Sequence, residues 1–192
     1  MIFLQSSPSP KDGDFFILDT NIWLPILGFE SDENISDHYK SYFSKIIKSE
    51  NCRILISPLQ ISEIFNRWLR FHAYKKYIKD GKNGDFKNYY KSNYRKSQDF
   101  TDKYYLIKED LENYVDSLIL VELRHLDLDT VTCFPPDEMD FNDNYLYQLA
   151  KQHDVTLITD DGDFTKDDCK IATYNKKLFR SHTDKIKPKT KV

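Results

Sequence analysis

The sequence predicts an α/β fold with a central parallel sheet of about four to five strands. Two observations lead to this prediction: short apolar runs alternate with helical patterns, and each clear run ends in a polar or turn residue. The runs are continuous rather than alternating in polarity, which is typical of strands buried on both faces of a parallel sheet. A chain of 192 residues can form one large domain, or one domain that carries an insertion.

Five segments are candidate strands. The clearest are residues 15–18 (FFIL), 53–57 (RILIS) and 155–159 (VTLIT). Residues 170–174 (KIATY) form another candidate, and 123–128 (LRHLDL) a weaker one. All five are short, as strands of a compact sheet usually are.

Helices are predicted between these strands. One covers 36–49, with Ser36 as a candidate N-cap, and another begins at Ser57-Pro58, a favourable N-cap and N1 pair. On the second helix, one apolar stripe runs from Ile61 to His72. A further helix is expected over 138–153, after two prolines.

The interval between the second and third of these helices is enlarged. Residues 70–121 contain no proline and are compatible with helix, with a break expected at 80–84. We therefore predict a single domain over 1–182 with a helical insertion at about 70–121. Residues 183–192 are expected to form a basic, flexible tail.

Composition excludes several classes of protein. An aromatic content of 15% argues against a disordered chain, and no apolar run is long enough to span a membrane. Three scattered cysteines do not form a disulfide framework or a zinc motif. They are more typical of small buried residues in a reducing cytosol, so a cytoplasmic protein is expected.

The net charge of −3 averages over strongly segregated blocks. Residues 67–108 carry twelve Lys or Arg and four Asp or Glu, and 176–192 carry seven basic residues and one acid. The first block also contains eleven aromatic residues, which suits binding of RNA phosphates and unpaired bases. Alternatively, its charges form solvated helix faces, and aromatics at helical spacing such as Trp68, Phe71 and Tyr74 belong to a core.

Acids follow the predicted strands at positions that meet at one edge of a parallel sheet. Asp19 follows the first strand, Glu63 lies in the helix after the second, and Asp161 follows 155–159. Asp143 shares a helical line with Leu146 and Ala150, which places it on the sheet-facing side. Because sites in α/β proteins form at the carboxyl ends of strands, we expect these acids to converge.

Each acid also has a structural explanation. Asp19 could cap a helix, Glu63 could pair with Arg67, and Asp143 could favour a helix N-terminus. Asp161 and Asp163 could be turn residues around Gly162. Taken together these explanations require a coincidence, since the four acids fall at one predicted edge.

Converging carboxylates need a cation or protons to relieve their repulsion. Two of them ~4 Å apart repel by about 4 kcal/mol at an effective dielectric of ~20. No His or Cys stands at ligand spacing, which disfavours zinc and favours a hard divalent ion with oxygen ligands. Such a site suits phosphodiester hydrolysis. A phosphoaspartate phosphatase is disfavoured, because Asp19 is followed by Thr-Asn and lacks a second acid two residues on.

Three ordered motifs resemble those of the PIN domain family. They are FFILDTNIWL at 15–24, SPLQISEIFNRW at 57–68 and DNYLYQLAKQHDVTLITDDGDF at 143–164. The resemblance implies a three-layer α/β/α fold and a Mg²⁺- or Mn²⁺-dependent ribonuclease. It implies catalytic and metal-binding roles for Asp19, Glu63, Asp143 and Asp161, with Asp163 as a further ligand, and supporting roles for Asn21 and Thr159. Asp140 is the alternative third acid, and Asp160 ranks lower.

The interval between the second and third motifs departs from the family pattern. Small VapC-type toxins, which pair with antitoxins, are shorter there. This departure counts against the assignment as a toxin but does not affect the assignment as a nuclease. The insertion could bind substrate RNA or be covered by a partner. Candidate RNA-binding residues are Arg67, Arg70, Lys75, Lys76, Arg95 and Lys96.

The leading hypothesis is therefore a metal-dependent endoribonuclease. Its expected partners are RNA, an antitoxin if it is a toxin, and a second copy of the chain, since PIN-like proteins often pair through helices. The alternative is a PIN-like module without catalysis that binds RNA or acts as a scaffold.

Overall fold

A single six-stranded parallel sheet forms the centre of the molecule. The computed structural model describes residues 1–4, 9–29, 33–124, 127–135, 137–166 and 168–186. The strand order is β1-β6-β5-β2-β3-β4, and every pair of neighbours is parallel. The predicted α/β fold with a parallel sheet is confirmed, with one strand more than expected.

Helices occupy the connections from β2 to β3, from β3 to β4 and from β4 to β5, whereas the described part of the connection between the parallel neighbours β5 and β6 contains none. The strands are β1 (Ile2–Phe3), β2 (Phe15–Leu18), β3 (Arg53–Ile56), β4 (Leu118–Leu120), β5 (Thr156–Ile158) and β6 (Lys170–Thr173). The helices are α1 (Thr20–Ile26), α2 (Glu33–Lys48), α3 (Pro58–Lys79), α4 (Phe86–Ser92), α5 (Gln98–Glu112), α6 (Leu128–Val131), α7 (Phe141–His153) and α8 (Lys176–Ile186).

The two faces of the sheet bury separate apolar cores. Phe16 and Leu18 of β2 belong to a core that also contains Trp23 of α1 and Trp68 of α3. Ile17, between them, packs in a second core with side chains of α7. Because side chains alternate across a strand, this division places helices on both faces and gives three layers.

One predicted strand is wrong. The strand beyond β3 is β4, at Leu118–Leu120, and the described part of 123–128 contains no strand; residues 125 and 126 lie outside the described residues. The side chain of Gln152 explains this, because its amide binds the backbone carbonyl of Glu122 and the backbone N–H of Arg124. These backbone groups are therefore satisfied without a neighbouring strand.

The helical insertion is shorter than predicted and interrupted. It comprises the end of α3, then α4, a 3₁₀ turn at Tyr94–Lys96, and α5. A second 3₁₀ turn at Val115–Ser117 leads into β4, so residues 118–120 belong to the sheet and not to the insertion. The expected break is present between Asp80 and Asp85, where Gly81 and Gly84 adopt positive φ.

Three other limits differ from the predictions. Helix α2 begins at Glu33 and not at 36, so Ser36 lies within the helix and is not its N-cap. Helix α7 begins at Phe141 and not at 138, because Asp140 acts as its N-cap. Helix α8 continues to Ile186, into the segment expected to be a flexible tail, and residues 187–192 lie outside the described residues.

Cys52 is buried as expected, but Cys133 is exposed. Within the described residues, no helix has the length and apolarity needed to cross a bilayer.

Candidate active site

Asp19 lies at the carboxyl end of β2, between two neighbouring strands, and is only 2% exposed. Its Oδ1 accepts a 3.2 Å hydrogen bond from the backbone N–H of Asn21, and its Oδ2 accepts a 2.7 Å hydrogen bond from the hydroxyl of Thr159. Asp19 is therefore the N-cap of α1, as the structural explanation predicts. It is also a carboxylate buried at the sheet edge.

Burial raises the pKa of Asp19 to about 6. The hydrogen bonds from Thr159 and Asn21 favour the charged form and oppose this rise. The carboxylates of Asp161 and Glu63 add to it by repulsion. Two more of the predicted acids are thus close enough to act on Asp19.

The turn after β5 presents Asp161. The Thr159 hydroxyl accepts a 2.9 Å hydrogen bond from the backbone N–H of Asp161 while donating to Asp19. Asp161 Oδ1 in turn accepts a 2.9 Å hydrogen bond from the backbone N–H of Asp163, which is the geometry of an Asx turn. Asp163 is exposed, but partial desolvation still raises the pKa of its carboxyl, and the charges of Asp161 and Asp140 raise it further.

Glu63 reaches the same edge from the second turn of α3. Its Oε2 accepts hydrogen bonds from the Thr20 hydroxyl at 3.1 Å and from the Asn142 side-chain amide at 3.2 Å. The Arg67 guanidinium lies 3.5 Å from the other oxygen of Glu63 and donates a 2.9 Å hydrogen bond to Asn21 Oδ1. One Arg therefore bridges the first two motifs.

Asp143 lies in the first turn of α7 and is half-buried. Burial is the largest cause that raises its pKa to about 8, followed by the charges of Asp19, Asp140, Asp161 and Glu63. Leu146 and Ala150 on the same face are buried against the sheet, as predicted, and Tyr147 is buried with them. All three other predicted acids therefore act on Asp143.

Asp140 and Asp160 have other partners. Asp140 Oδ1 accepts a 2.9 Å hydrogen bond from the backbone N–H of Asp143 and caps α7. Asp160 accepts a 2.7 Å hydrogen bond from the buried hydroxyl of Tyr39, which also accepts one from the backbone N–H of Tyr174. Both contacts suit structural acids that support the residues on either side.

The arrangement is loose. Among the described residues, no three Asp, Glu, His or Cys side chains are placed to hold a metal ion together. Asp19, Asp161 and Glu63 each make the contact that a purely structural explanation predicts, and Asp143 stands in the first turn of its helix. The acids form an electrostatic cluster in which the pKa values of Asp19 and Asp143 are raised, not a formed coordination shell.

The six candidate RNA-binding residues make different local contacts. Arg67 faces the acids, whereas Arg70 and Arg95 line a groove between α3 and α5. Lys75 lies 5.1 Å from the ring centre of Phe71, and Lys76 pairs with Asp80 at 3.8 Å. Lys96 is exposed in the 3₁₀ turn that follows α4. The insertion also has a core of its own around Ala73, Tyr90 and Tyr94.

Sequence patterns missed three residues of the site: Thr20, Asn142 and Tyr39. Thr20 and Asn142 are each adjacent in sequence to a predicted acid, and only this adjacency could have marked them as residues of the site. Tyr39 lies in α2, far from every motif, and nothing local marks it.

Comparison with known proteins identifies the family. A protein-family model described as PIN domain matches residues 16–168. The chain belongs to the PIN domain family. Searches of curated proteins and of solved structures found no match. PIN domains are generally nucleases and typically use divalent metals.

The chemistry of this PIN domain's acids fits such an ion. Asp19, Glu63, Asp143 and Asp161 offer only oxygen donors, which hard cations such as Mg²⁺ and Mn²⁺ prefer. The raised pKa values of Asp19 and Asp143 reflect burial and mutual repulsion that a cation would relieve.

Proposed function

We propose that this PIN domain is a metal-dependent endoribonuclease that hydrolyses RNA phosphodiester bonds with Mg²⁺ or Mn²⁺. The observation that carries the proposal is the electrostatic cluster at the sheet edge. Acids from β2, α3, α7 and the turn after β5 act on one another although they are far apart in sequence. Structural caps and turns alone do not require this convergence.

In this proposal Asp19, Glu63, Asp143 and Asp161 hold the cation, with Asp163 as a further ligand. When bound, the cation supplies Lewis-acid activation of water and of the scissile phosphate. Asn21 and Thr159 orient the acids: Thr159 joins Asp19 to Asp161, and Asn21 binds both Asp19 and Arg67. The Arg67 guanidinium at the edge of the cluster suits a phosphate oxygen.

The insertion would bind the RNA backbone. Arg70 and Arg95 line the same groove, and Arg67, on the same helix as Arg70, pairs with Glu63 of the acid cluster. Lys75, Lys76 and Lys96 lie outside the groove lining, so in this proposal they add long-range attraction rather than direct contacts.

Cleavage of a fluorophore- and quencher-labelled single-stranded RNA tests the proposal. Wild type with millimolar Mn²⁺ should cleave it, and Asp19→Asn and Asp143→Asn should each reduce the rate by about a hundredfold or more. Asp116→Asn, an exposed acid in the turn before β4, is the matched control and should cleave normally. Equal cleavage by all four proteins, or none by wild type on any RNA tried, contradicts the proposal.

A second candidate is a PIN-like RNA-binding or scaffold module without catalysis. Support comes from the loose arrangement of the acids and from the structural contact that each of them makes. Metal binding separates the two candidates. A nuclease of this kind should be stabilised against heat by millimolar Mn²⁺, whereas a module without a metal site should not.

The toxin assignment is a finer part of the proposal. Its support is the resemblance to VapC-type proteins, and the partners it implies are an antitoxin and a second copy of the chain. Induced expression in a bacterial host tests it. Wild type should arrest growth, Asp19→Asn should not, and co-expression of a neighbouring small gene should restore growth to the wild-type strain. Unaffected growth on wild-type induction excludes the toxin role and leaves the nuclease proposal standing.

A further inference from the structure

The insertion forms a groove of about 530 Å³ between α3 and α5. Three cations line it, Arg70, Lys91 and Arg95, and no acid is among the described residues of its lining. Aromatic rings form much of the rest, including Phe65, Tyr90 and Tyr104. The volume lies within the range of about 300–1,000 Å³ that is typical of ligand sites.

The groove and the acid cluster share α3. Glu63 and Arg67 point toward the acids, while Ser62 and Asn66, their neighbours in sequence, line the groove. At a rise of about 1.5 Å per residue, Glu63 and Arg70 are about 10 Å apart along the helix axis. The groove and the acid cluster therefore border one short stretch of α3, on different faces of the helix.

The rings of the groove are arranged for stacking. Tyr104 is 42% exposed, and its ring centre lies 5.2 Å from that of Phe65. The guanidinium of Arg70, another residue of the lining, lies 5.4 Å from the ring centre of Tyr90. An exposed ring beside cations matches the way single-stranded nucleic acids are bound, with bases on aromatic faces and phosphates on basic side chains.

We propose that this groove is a nucleobase-binding subsite, in which Tyr104 stacks an unpaired base of RNA while Arg70 and Arg95 bind the adjacent phosphates. The inference rests on the proposed function, because it assumes that the RNA continues to the acids. An acidic peptide would pair with the cations but would leave Tyr104 and Phe65 without a flat partner. The rings therefore favour RNA as the occupant.

Fluorescence anisotropy in EDTA tests the subsite without cleavage. The probe is a labelled single-stranded RNA of mixed sequence, with an RNA duplex and a polyglutamate peptide as competitors. Tyr104→Ala should weaken RNA binding about fivefold or more, and Tyr104→Phe should retain it, since stacking needs the ring and not the hydroxyl. Arg95→Ala, which removes an exposed side chain, should lower the slope of log affinity against log salt by about 0.7.

Matched controls come from the same insertion. Tyr74 and Lys87 are exposed and lie outside the groove lining, so Tyr74→Ala and Lys87→Ala should bind RNA nearly as wild type does. The subsite is overturned if Tyr104→Ala and Arg95→Ala bind like these controls. It is also overturned if polyglutamate displaces the probe more effectively than unlabelled single-stranded RNA.

The two proposals fail in different ways. Groove-dependent RNA binding in EDTA, together with no cleavage in Mn²⁺, supports the subsite and contradicts the nuclease. Cleavage that requires Asp19 but is indifferent to Tyr104 and Arg95, with unchanged binding, overturns the subsite and supports the nuclease.

Discussion

The hydroxyl of Thr159 donates a 2.7 Å hydrogen bond to Asp19 Oδ2, although 140 residues separate them in sequence. The bond joins the ends of β2 and β5, which are neighbouring strands. The same hydroxyl accepts the N–H of Asp161, so one small side chain positions two of the predicted acids.

Replacing Thr159 with Val should destabilise the protein by about 1–3 kcal/mol, because the buried Asp19 carboxylate then loses a hydrogen-bond partner. Urea unfolding at pH 7 measures the change. Thr159→Ser keeps the hydroxyl and should lose much less. A loss in Thr159→Ser as large as that in Thr159→Val would contradict the prediction, because the variant that keeps the hydroxyl would then be no more stable than the one that lacks it.

Metal-free protein should become less stable as pH rises from about 4 to about 8. The pKa of Asp143 is about 8 in the folded state against an ordinary value of 3.8, so the folded state binds more protons in this window. Asp19, with a pKa of about 6, contributes to the lower part of the window. Thermal unfolding in EDTA across this pH range should show a loss of at least about 1 kcal/mol.

Asp143→Asn provides the control for this pH dependence. Because Asn cannot ionise, the variant should lose less stability between pH 6 and 8 than wild type does. A wild-type melting temperature that rises over the same range would contradict the assignment of raised pKa values to the acid cluster.

Millimolar Mn²⁺ should raise the melting temperature at pH 8. Binding to the folded state alone stabilises it by about 2.7 kcal/mol when the free metal exceeds its Kd a hundredfold. The double variant Asp19→Asn and Asp143→Asn should show little or no rise, since two of the proposed ligands are then neutral. A rise of the same size in the double variant would place Mn²⁺ elsewhere on the protein.

Removing Arg67 should strengthen Mn²⁺ binding. Its guanidinium pairs with Glu63 at 3.5 Å and binds Asn21, so it competes with a cation for the Glu63 carboxylate. Isothermal titration of Arg67→Ala should give a lower Kd than wild type, with stability changed by less than about 1 kcal/mol because the pair is partly exposed. The Mn²⁺ Kd of Arg67→Lys should lie between those of wild type and Arg67→Ala. A weaker Mn²⁺ affinity in Arg67→Ala would show that Arg67 orients Glu63 and does not compete for it.

Tyr39→Phe should destabilise the protein by about 1–3 kcal/mol. Its hydroxyl binds Asp160 at 2.7 Å and accepts the backbone N–H of Tyr174, so removal leaves buried groups on two segments without a partner. Chemical unfolding measures the loss, and Tyr42→Phe serves as a control on the same helix. No difference between the two variants would mean that water replaces the Tyr39 hydroxyl.

Local pattern was sufficient to predict three of the central strands and most of the helices that follow them. Phe15–Leu18, Arg53–Ile56 and Thr156–Ile158 are continuous apolar runs closed by a polar residue, and they pair as the inner strands of the sheet. Edge strands gave weaker signals. Leu118–Leu120 is partly exposed, lies beside β3 and follows a helical pattern without a clear break. The strand was therefore predicted at 123–128, five residues too late.

For the acids too, the sequence predicted some features and not others. Their order along the chain, and their position after apolar strands, identified Asp19, Glu63, Asp143 and Asp161 as a group. Their partners could not be identified in this way, because Arg67 bridging Glu63 to Asn21 and Asn142 binding Glu63 are contacts between separate elements. Sequence spacing specifies the face of a helix, but not which distant side chain meets it.

The sequence by itself determined the fold class and the family and singled out four acids as candidates, since hydrophobic periodicity and strand-end positions are local properties of the chain. Only the tertiary structure decided which atoms each acid contacts, how far burial raises the pKa values of Asp19 and Asp143, and where the insertion opens a groove. Burial and charge interaction depend on everything packed around a residue. Most of those neighbours, such as Thr159 beside Asp19, come from distant parts of the chain.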